Sequence, residues 1–193
     1  MFLSELLELD SYNKPKLLDE AGLSRISQHV KNKPIGMITA FRGGNTLQKN
    51  RALNKRLAAD IRGSGFGFVK LIGRYIEDYD DKDKTKGTPV DESSFFVIGN
   101  EGQAGQLKGI LKKLGKKYKQ DSVFFKSDEK DIGILIGTNT DGWPGMGVVK
   151  KVGKFRPQRV GEFYSKMRGK TFTFEGYQEV MNNFSRSNKN REQ

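Results

Sequence analysis

The chain has 193 residues, 35% of them hydrophobic, and its 35 Lys and Arg outnumber its 23 Asp and Glu for a net charge of +12. That length suits one domain with its own core, and the charge favours a polyanionic partner such as nucleic acid or a nucleotide. The lack of cysteine excludes disulfides, thiolate nucleophiles and zinc–thiolate sites, and a single histidine, His29, excludes multi-histidine metal binding and paired-histidine catalysis.

In chain order, the first five residues, MFLSE, lack the basic start and apolar core of a signal peptide, and no apolar run reaches the about 18 residues of a membrane span. The expectation is a cytoplasmic protein with no membrane contact. Residues 17–30 are predicted helical, with Leu18, Ala21, Ile26 and Val30 as an imperfect inner face and Lys33-Pro34 as the stop. Residues 35–41 have strand character between Pro34 and Gly43-Gly44. The helix that follows places Leu53, Leu57 and Ile61 on one face and Arg51, Lys55 and Arg62 on another, until Gly63-Ser64-Gly65 stops it.

Residues 66–76 and 93–98 read as a hairpin joined by a polar loop at 78–91. A helix over 104–118 carries Leu107, Ile110, Leu111 and Leu114 as its core stripe and lysines over most of the rest. Residues 122–126 and 132–137 supply short strands, and 138–147 a turn-rich link. Strands at 148–155 and 171–175, helices at 157–169 and 177–184 and a disordered tail at 185–193 complete the prediction.

The order strand, helix, strand, strand, helix, strand is that of an α+β, ferredoxin-like (split βαβ) two-layer sandwich. The expected division is an N-terminal helical segment at 1–34, the sandwich core at 35–137, a basic extension at 138–184 packed on the core, and the tail.

Four segments carry a resemblance: PIGMITAFR at 34–42, NRALN at 50–54, ESSF at 92–95 and QDSV at 120–123. They resemble a small bacterial domain family of unknown function, whose members share a Thr-Ala strand end, an Asn-Arg helix start, a Glu-Ser strand start and a Gln before a late strand. That family has Asn-Pro where this chain has Arg42-Gly43. With GKFRP at 153–157 and GKTF at 169–172, the longer form resembles uncharacterised proteins of tailed bacteriophages. The resemblance implies a phage origin and a site location, and no reaction.

The candidate site lies where the first strand meets its helix. Thr39, Arg42, Asn45, Asn50, Arg51 and Asn54 combine paired amide donors and acceptors with guanidinium forks suited to an anion or a base edge. The competing reading has Asn45 or Thr46 capping the helix while the other polar groups bond the loop. Asparagine is a poor helix former, so two beside the Leu53 and Leu57 stripe favour function. Glu92 is expected near the same strand ends, with Arg74 as its ion-pair partner or as a second anion ligand.

Other motifs fail. Asp81, Asp83, Thr85 and Glu92 match calcium-loop positions, but Lys86 stands where glycine is needed and a strand follows. Gly169-Lys170-Thr171 echoes a phosphate loop, yet Tyr164 occupies the required earlier glycine position. No metal and no cofactor are expected. Trp143 is read as a turn residue anchored on the core rather than an exposed stacking platform.

The strongest electrostatic feature is the set Lys108, Lys112, Lys113, Lys116, Lys117, Lys150, Lys151, Lys154, Arg156 and Arg159, interleaved with Phe155, Phe163, Tyr164, Phe172 and Phe174. Such clusters neutralise phosphates and stack on bases. The leading expectation is therefore a phage-encoded basic binding protein that contacts nucleic acid or modulates a host process. The alternatives are a nucleotide-binding or nucleotide-processing protein using the Thr39 pocket, with Glu92 or Asp91 as general base, and a virion component contacting packaged DNA or structural proteins. A polar pocket without an obvious catalyst favours binding over catalysis.

Overall fold

The structure is a computed structural model that describes residues 31–77, 88–156, 164–167 and 170–174. The predicted helices at 17–30 and 177–184, the tail at 185–193 and most of the acidic loop lie outside the described residues.

Helix α1, Leu47–Gly63, starts where the Thr46 hydroxyl accepts the Lys49 N–H at 3.3 Å, and it ends at Ser64 and Gly65. Helix α2, Ala104–Lys117, buries Leu107, Leu111 and Leu114 and leaves its lysines in solvent. The strands are β1, Ile35–Ile38; β2, Gly67–Glu77; β3, Thr88–Ile98; β4, Ser122–Lys126; β5, Ile132–Gly137; β6, Val149–Arg156; β7, Tyr164–Met167; and β8, Lys170–Phe174.

All pairings are antiparallel, and β4-β1-β3-β2 is the ferredoxin-like order predicted from the sequence. The sheet then continues: β5 pairs with β4, β6 with β5, β8 with β6, and β7 joins β8 to β2, so that the strands close into a barrel. β7 lies within the segment expected to be helical. The spacing of Val160, Phe163, Tyr164 and Met167 mimics a helical stripe, but residues 164–167 pair in the sheet on both sides.

Two apolar layers follow from the two-residue period of the strands. The outer layer, under the helices, joins Ile38, Phe95, Val97, Val123, Phe125 and Ile136 to Leu57, Ile61, Leu107, Leu111 and Leu114. Gly36 lets α2 approach β1: a Cβ there would stand 2.2 Å from Leu111 Cδ1. The inner layer takes one side chain from each of β1 to β6, namely Ile35, Leu71, Phe96, Phe124, Leu135 and Val152. Trp143 packs against this inner cluster, as expected of an anchoring turn residue.

Lys126 lies opposite Ile35 at the far end of β4 and is 1% exposed. Its Nζ donates to the Ser127 carbonyl at 2.8 Å. Burial holds its pKa below the usual lysine range, with Asp131 and Asp128 acting in the opposite direction.

Candidate active site

Antiparallel pairing brings the exit of β1, the first half of β3, the start of β4 and the end of β5 to one end of the barrel. The backbone there is held by side chains. Asn50 and Asn54, one turn apart on α1 and each 6% exposed, turn their carboxamides towards β1 rather than solvent. Asn54 Oδ1 accepts the Ala40 N–H at 2.8 Å, and its Nδ2 donates to the Ser93 carbonyl at 2.8 Å. Asn50 does the same for one residue: Oδ1 accepts the Arg42 N–H and Nδ2 donates to the Arg42 carbonyl, both at 3.0 Å. Asn45 Nδ2 donates to Asn50 Oδ1 at 3.2 Å.

A second set ties this loop to the turn after α2. Lys119 sits there in the left-handed region at φ 53°. Arg42 donates through its guanidinium to the Lys119 carbonyl, and Gln120 Nε2 donates to the Phe41 carbonyl at 3.1 Å and the Tyr118 carbonyl at 3.3 Å. The Thr138 hydroxyl donates to the Gln120 carbonyl at 2.5 Å, and Asn139 Nδ2 to Asp121 Oδ1 at 3.0 Å, which fixes the loop bearing Trp143 to the same end.

The barrel mouth is polar above an apolar interior. Alternation from Phe96 puts Ser94 and the partly buried Glu92 on the inner face of β3, and alternation from Phe124 puts Ser122 on that of β4. Opposite Glu92 in the ladder stands Gly73. Among the described residues, a Cβ added to Gly73 would meet only the Glu92 carbonyl oxygen, at 3.8 Å.

The structure thus brings Thr39, Arg42, Asn45, Asn50, Asn54 and Glu92 to one end of the molecule. The amides of Asn50 and Asn54 are engaged with backbone, as the competing sequence reading had it, and the Thr39 hydroxyl donates to the Ser93 carbonyl at 2.9 Å. Arg51 is exposed on α1. The register sets Arg74 opposite Asp91 and Tyr164, one position from Glu92, and its side chain lies outside the described residues. Gln120, Ser93, Ser94 and Gly73 were not among the predicted site residues. Ser93 and Ser94 stood in the Glu-Ser strand start and Gln120 before a late strand, whereas Gly73 carried no signal.

The basic set is dispersed. Lys112, Lys113 and Lys116 are exposed on the solvent side of α2. Lys117 binds Asp60 at 2.7 Å, and Lys108 lies 6.0 Å from the Phe125 ring centroid. Lys150, Lys151 and Lys154 are exposed on β6, while the Arg156 side chain and Arg159 lie outside the described residues. No group of His, Cys, Asp and Glu able to hold a metal occurs among the described residues, and none of their helices is long and apolar enough to cross a membrane.

No curated protein matches the chain by sequence. One solved structure similar to it is a phage SAM lyase in complex with S-methyl-5′-thioadenosine, at 18% identity and a TM-score of 0.30, covering 62% of this chain and 87% of that one. The family model for the S-adenosylmethionine lyase family matches residues 36–175, from β1 to just beyond β8, and includes the whole mouth. This match replaces the domain family of unknown function suggested by the sequence motifs, and it overturns the leading reading of a basic nucleic-acid-binding protein. The physical reason is that net charge reports on solvent-facing lysines such as those of α2 and β6, and a charged surface says nothing by itself about the site that a fold carries. The chain belongs to the S-adenosylmethionine lyase family.

Proposed function

We propose that this protein is an S-adenosylmethionine lyase whose site is the barrel mouth beside Glu92. The observation that carries the reading is the family match across residues 36–175, which contains every element that frames the mouth. The reading falls within the nucleotide-processing alternative and makes the chain an enzyme acting on a nucleoside sulfonium.

The chemistry requires little of the protein. Breaking the bond between the sulfonium sulfur and the γ-carbon of the methionine moiety sends the bonding electron pair to sulfur and releases neutral S-methyl-5′-thioadenosine. If the substrate's own carboxylate attacks the γ-carbon, a C–O bond forms as the C–S bond breaks, and the other product is a five-membered lactone with its ammonium intact. Atoms and charge balance without water or a protein base. A carboxylate and a sulfonium cancel in the transition state, so the step gains from leaving water for a site floored by Phe96, Phe124 and Leu135.

Glu92 then acts best on the α-ammonium of the substrate. A carboxylate paired with the sulfonium would lose its partner as the reaction proceeds and would stabilise the ground state, whereas the ammonium persists throughout.

The test is incubation of the purified protein with S-adenosylmethionine, followed by chromatography and mass spectrometry. Expected products are S-methyl-5′-thioadenosine and an amino lactone in equal amounts. Recovery of intact substrate, or formation of S-adenosylhomocysteine instead, would overturn the reading.

A further inference from the structure

β1 and β3 pair residue by residue from Ile35 opposite Ile98 to Ile38 opposite Phe95. Continued by two positions, that register sets Ala40 opposite Ser93. This is a hydrogen-bonding rung: pairs of one phase in an antiparallel ladder bond alike, and Pro34 and Gly99, in the same phase, are joined by the Gly99 N–H donating to the Pro34 carbonyl at 2.9 Å. An uninterrupted ladder would therefore join the Ala40 N–H to the Ser93 carbonyl directly, at about 2.9 Å.

The carboxamide of Asn54 occupies that rung instead, accepting from Ala40 and donating to Ser93 at 2.8 Å each. The Ser93 carbonyl also accepts from the Thr39 hydroxyl, which in turn accepts the Phe41 N–H at 3.0 Å, so the parted strands keep their polar groups satisfied. The pairing of the two strands ends at Ile38 and Phe95, and beyond it the amide bridges them next to the residue that precedes Ser93, which is Glu92.

We infer that Asn54 is a positioning residue that wedges between the continuations of β1 and β3 and so sets where Glu92 stands at the barrel mouth for a nucleoside sulfonium, an inference that rests on the lyase reading above. Its neutral carboxamide is suited to this task because it has both a donor and an acceptor. Aspartate keeps the acceptor for Ala40 but turns a carboxylate oxygen on the Ser93 carbonyl, and alanine leaves the rung free to close. Closure moves the Ser93 backbone towards Ala40 and takes Glu92 with it. A displacement of about 1 Å costs roughly 100-fold in rate when geometry carries the catalysis.

The experiment compares Asn54→Ala, Asn54→Asp and Asn54→Gln with the wild-type enzyme, reading kcat and KM for thioadenosine release and solving the crystal structure of each folded variant. Asn54→Ala is expected to lose about 100-fold in kcat with KM nearly unchanged, and its structure to show the direct Ala40–Ser93 bond. Asn54→Gln, which keeps donor and acceptor, should recover more of kcat than Asn54→Asp. A folded Asn54→Ala variant with wild-type kcat, or with Ala40 and Ser93 still parted, would overturn the inference. If Asn54→Ala does not fold, equal kcat in the Gln and Asp variants would do so. A wild-type protein inert towards S-adenosylmethionine would remove the lyase reading, and the crystal structures would still decide the wedge.

Discussion

At the exit of β1, the neutral amides of Asn50, Asn54 and Gln120 each bond two backbone groups, whereas at its entry the amine of Lys126 is buried on the Ser127 carbonyl. An amide with donor and acceptor both engaged recovers most of its desolvation and fixes geometry in return. A buried lysine amine recovers far less, and its burial lowers the pKa. Polarity at the exit gives the mouth its shape, and polarity at the entry is held at a cost to stability.

Four measurements break or sharpen this contrast. The largest effect is expected from Glu92→Gln, which keeps the shape and removes the charge. It should lower kcat/KM for S-adenosylmethionine by about 100-fold, and a wild-type rate would remove Glu92 from the mechanism. Asn50→Ala strips the Arg42 N–H and carbonyl of their partner at a buried position and should cost about 1–3 kcal/mol of stability in urea titrations. An unchanged midpoint would mean that water replaces the amide and that the exit is less tightly shaped than its hydrogen bonds imply.

Lys126→Met should go the other way, stabilising the fold by about 1 kcal/mol near neutral pH. Because the folded-state pKa of Lys126 is depressed, the unfolded chain binds that proton more tightly. Wild-type stability therefore rises as pH climbs from the lowered value through the ordinary lysine range, and the advantage of the methionine variant shrinks across that window. A pH-independent difference would show that packing, not charge, sets it.

The smallest effect belongs to Asp60, whose carboxylate accepts from Lys117 and from the Tyr118 hydroxyl between the two helices. These hydrogen bonds lower its pKa, so its contribution is present above the ordinary aspartate range and lost as pH falls through the lowered value. The side chains are 30% and 56% exposed at Asp60 and Lys117, and Asp60→Asn should cost under about 1 kcal/mol, seen as a small loss of melting temperature at neutral pH that fades in acid.

Much of this fold was legible in the sequence because its signals are local. The leucine stripes of α1 and α2, the glycines that end α1 and the apolar runs at 35–38, 122–126 and 132–137 specify elements without reference to distant residues. Ring closure was not legible, since β7 is apolar at helical spacing and its partners lie on β2, far away in the chain. The site divides in the same way. Two asparagines beside a leucine stripe signalled a special role, but that they bond the backbone of β1 and β3 depends on how α1 lies across the sheet. The lysines of α2 were conspicuous in composition and pointed to nucleic acid, although charge on a solvated helix face carries no information about the mouth.

Each described strand has a partner on both sides. Open sheets invite neighbouring chains to add strands along their unpaired edges, and proteins guard such edges with charge, proline or bulges. Here no described strand has an edge left to guard, and the seam that closes the ring, between β6 and β8, has two residue pairs among the described residues, Phe155 with Phe174 and Arg156 with Thr173. Opening that seam frees two strand edges at once, and with them a route to strand-to-strand aggregation.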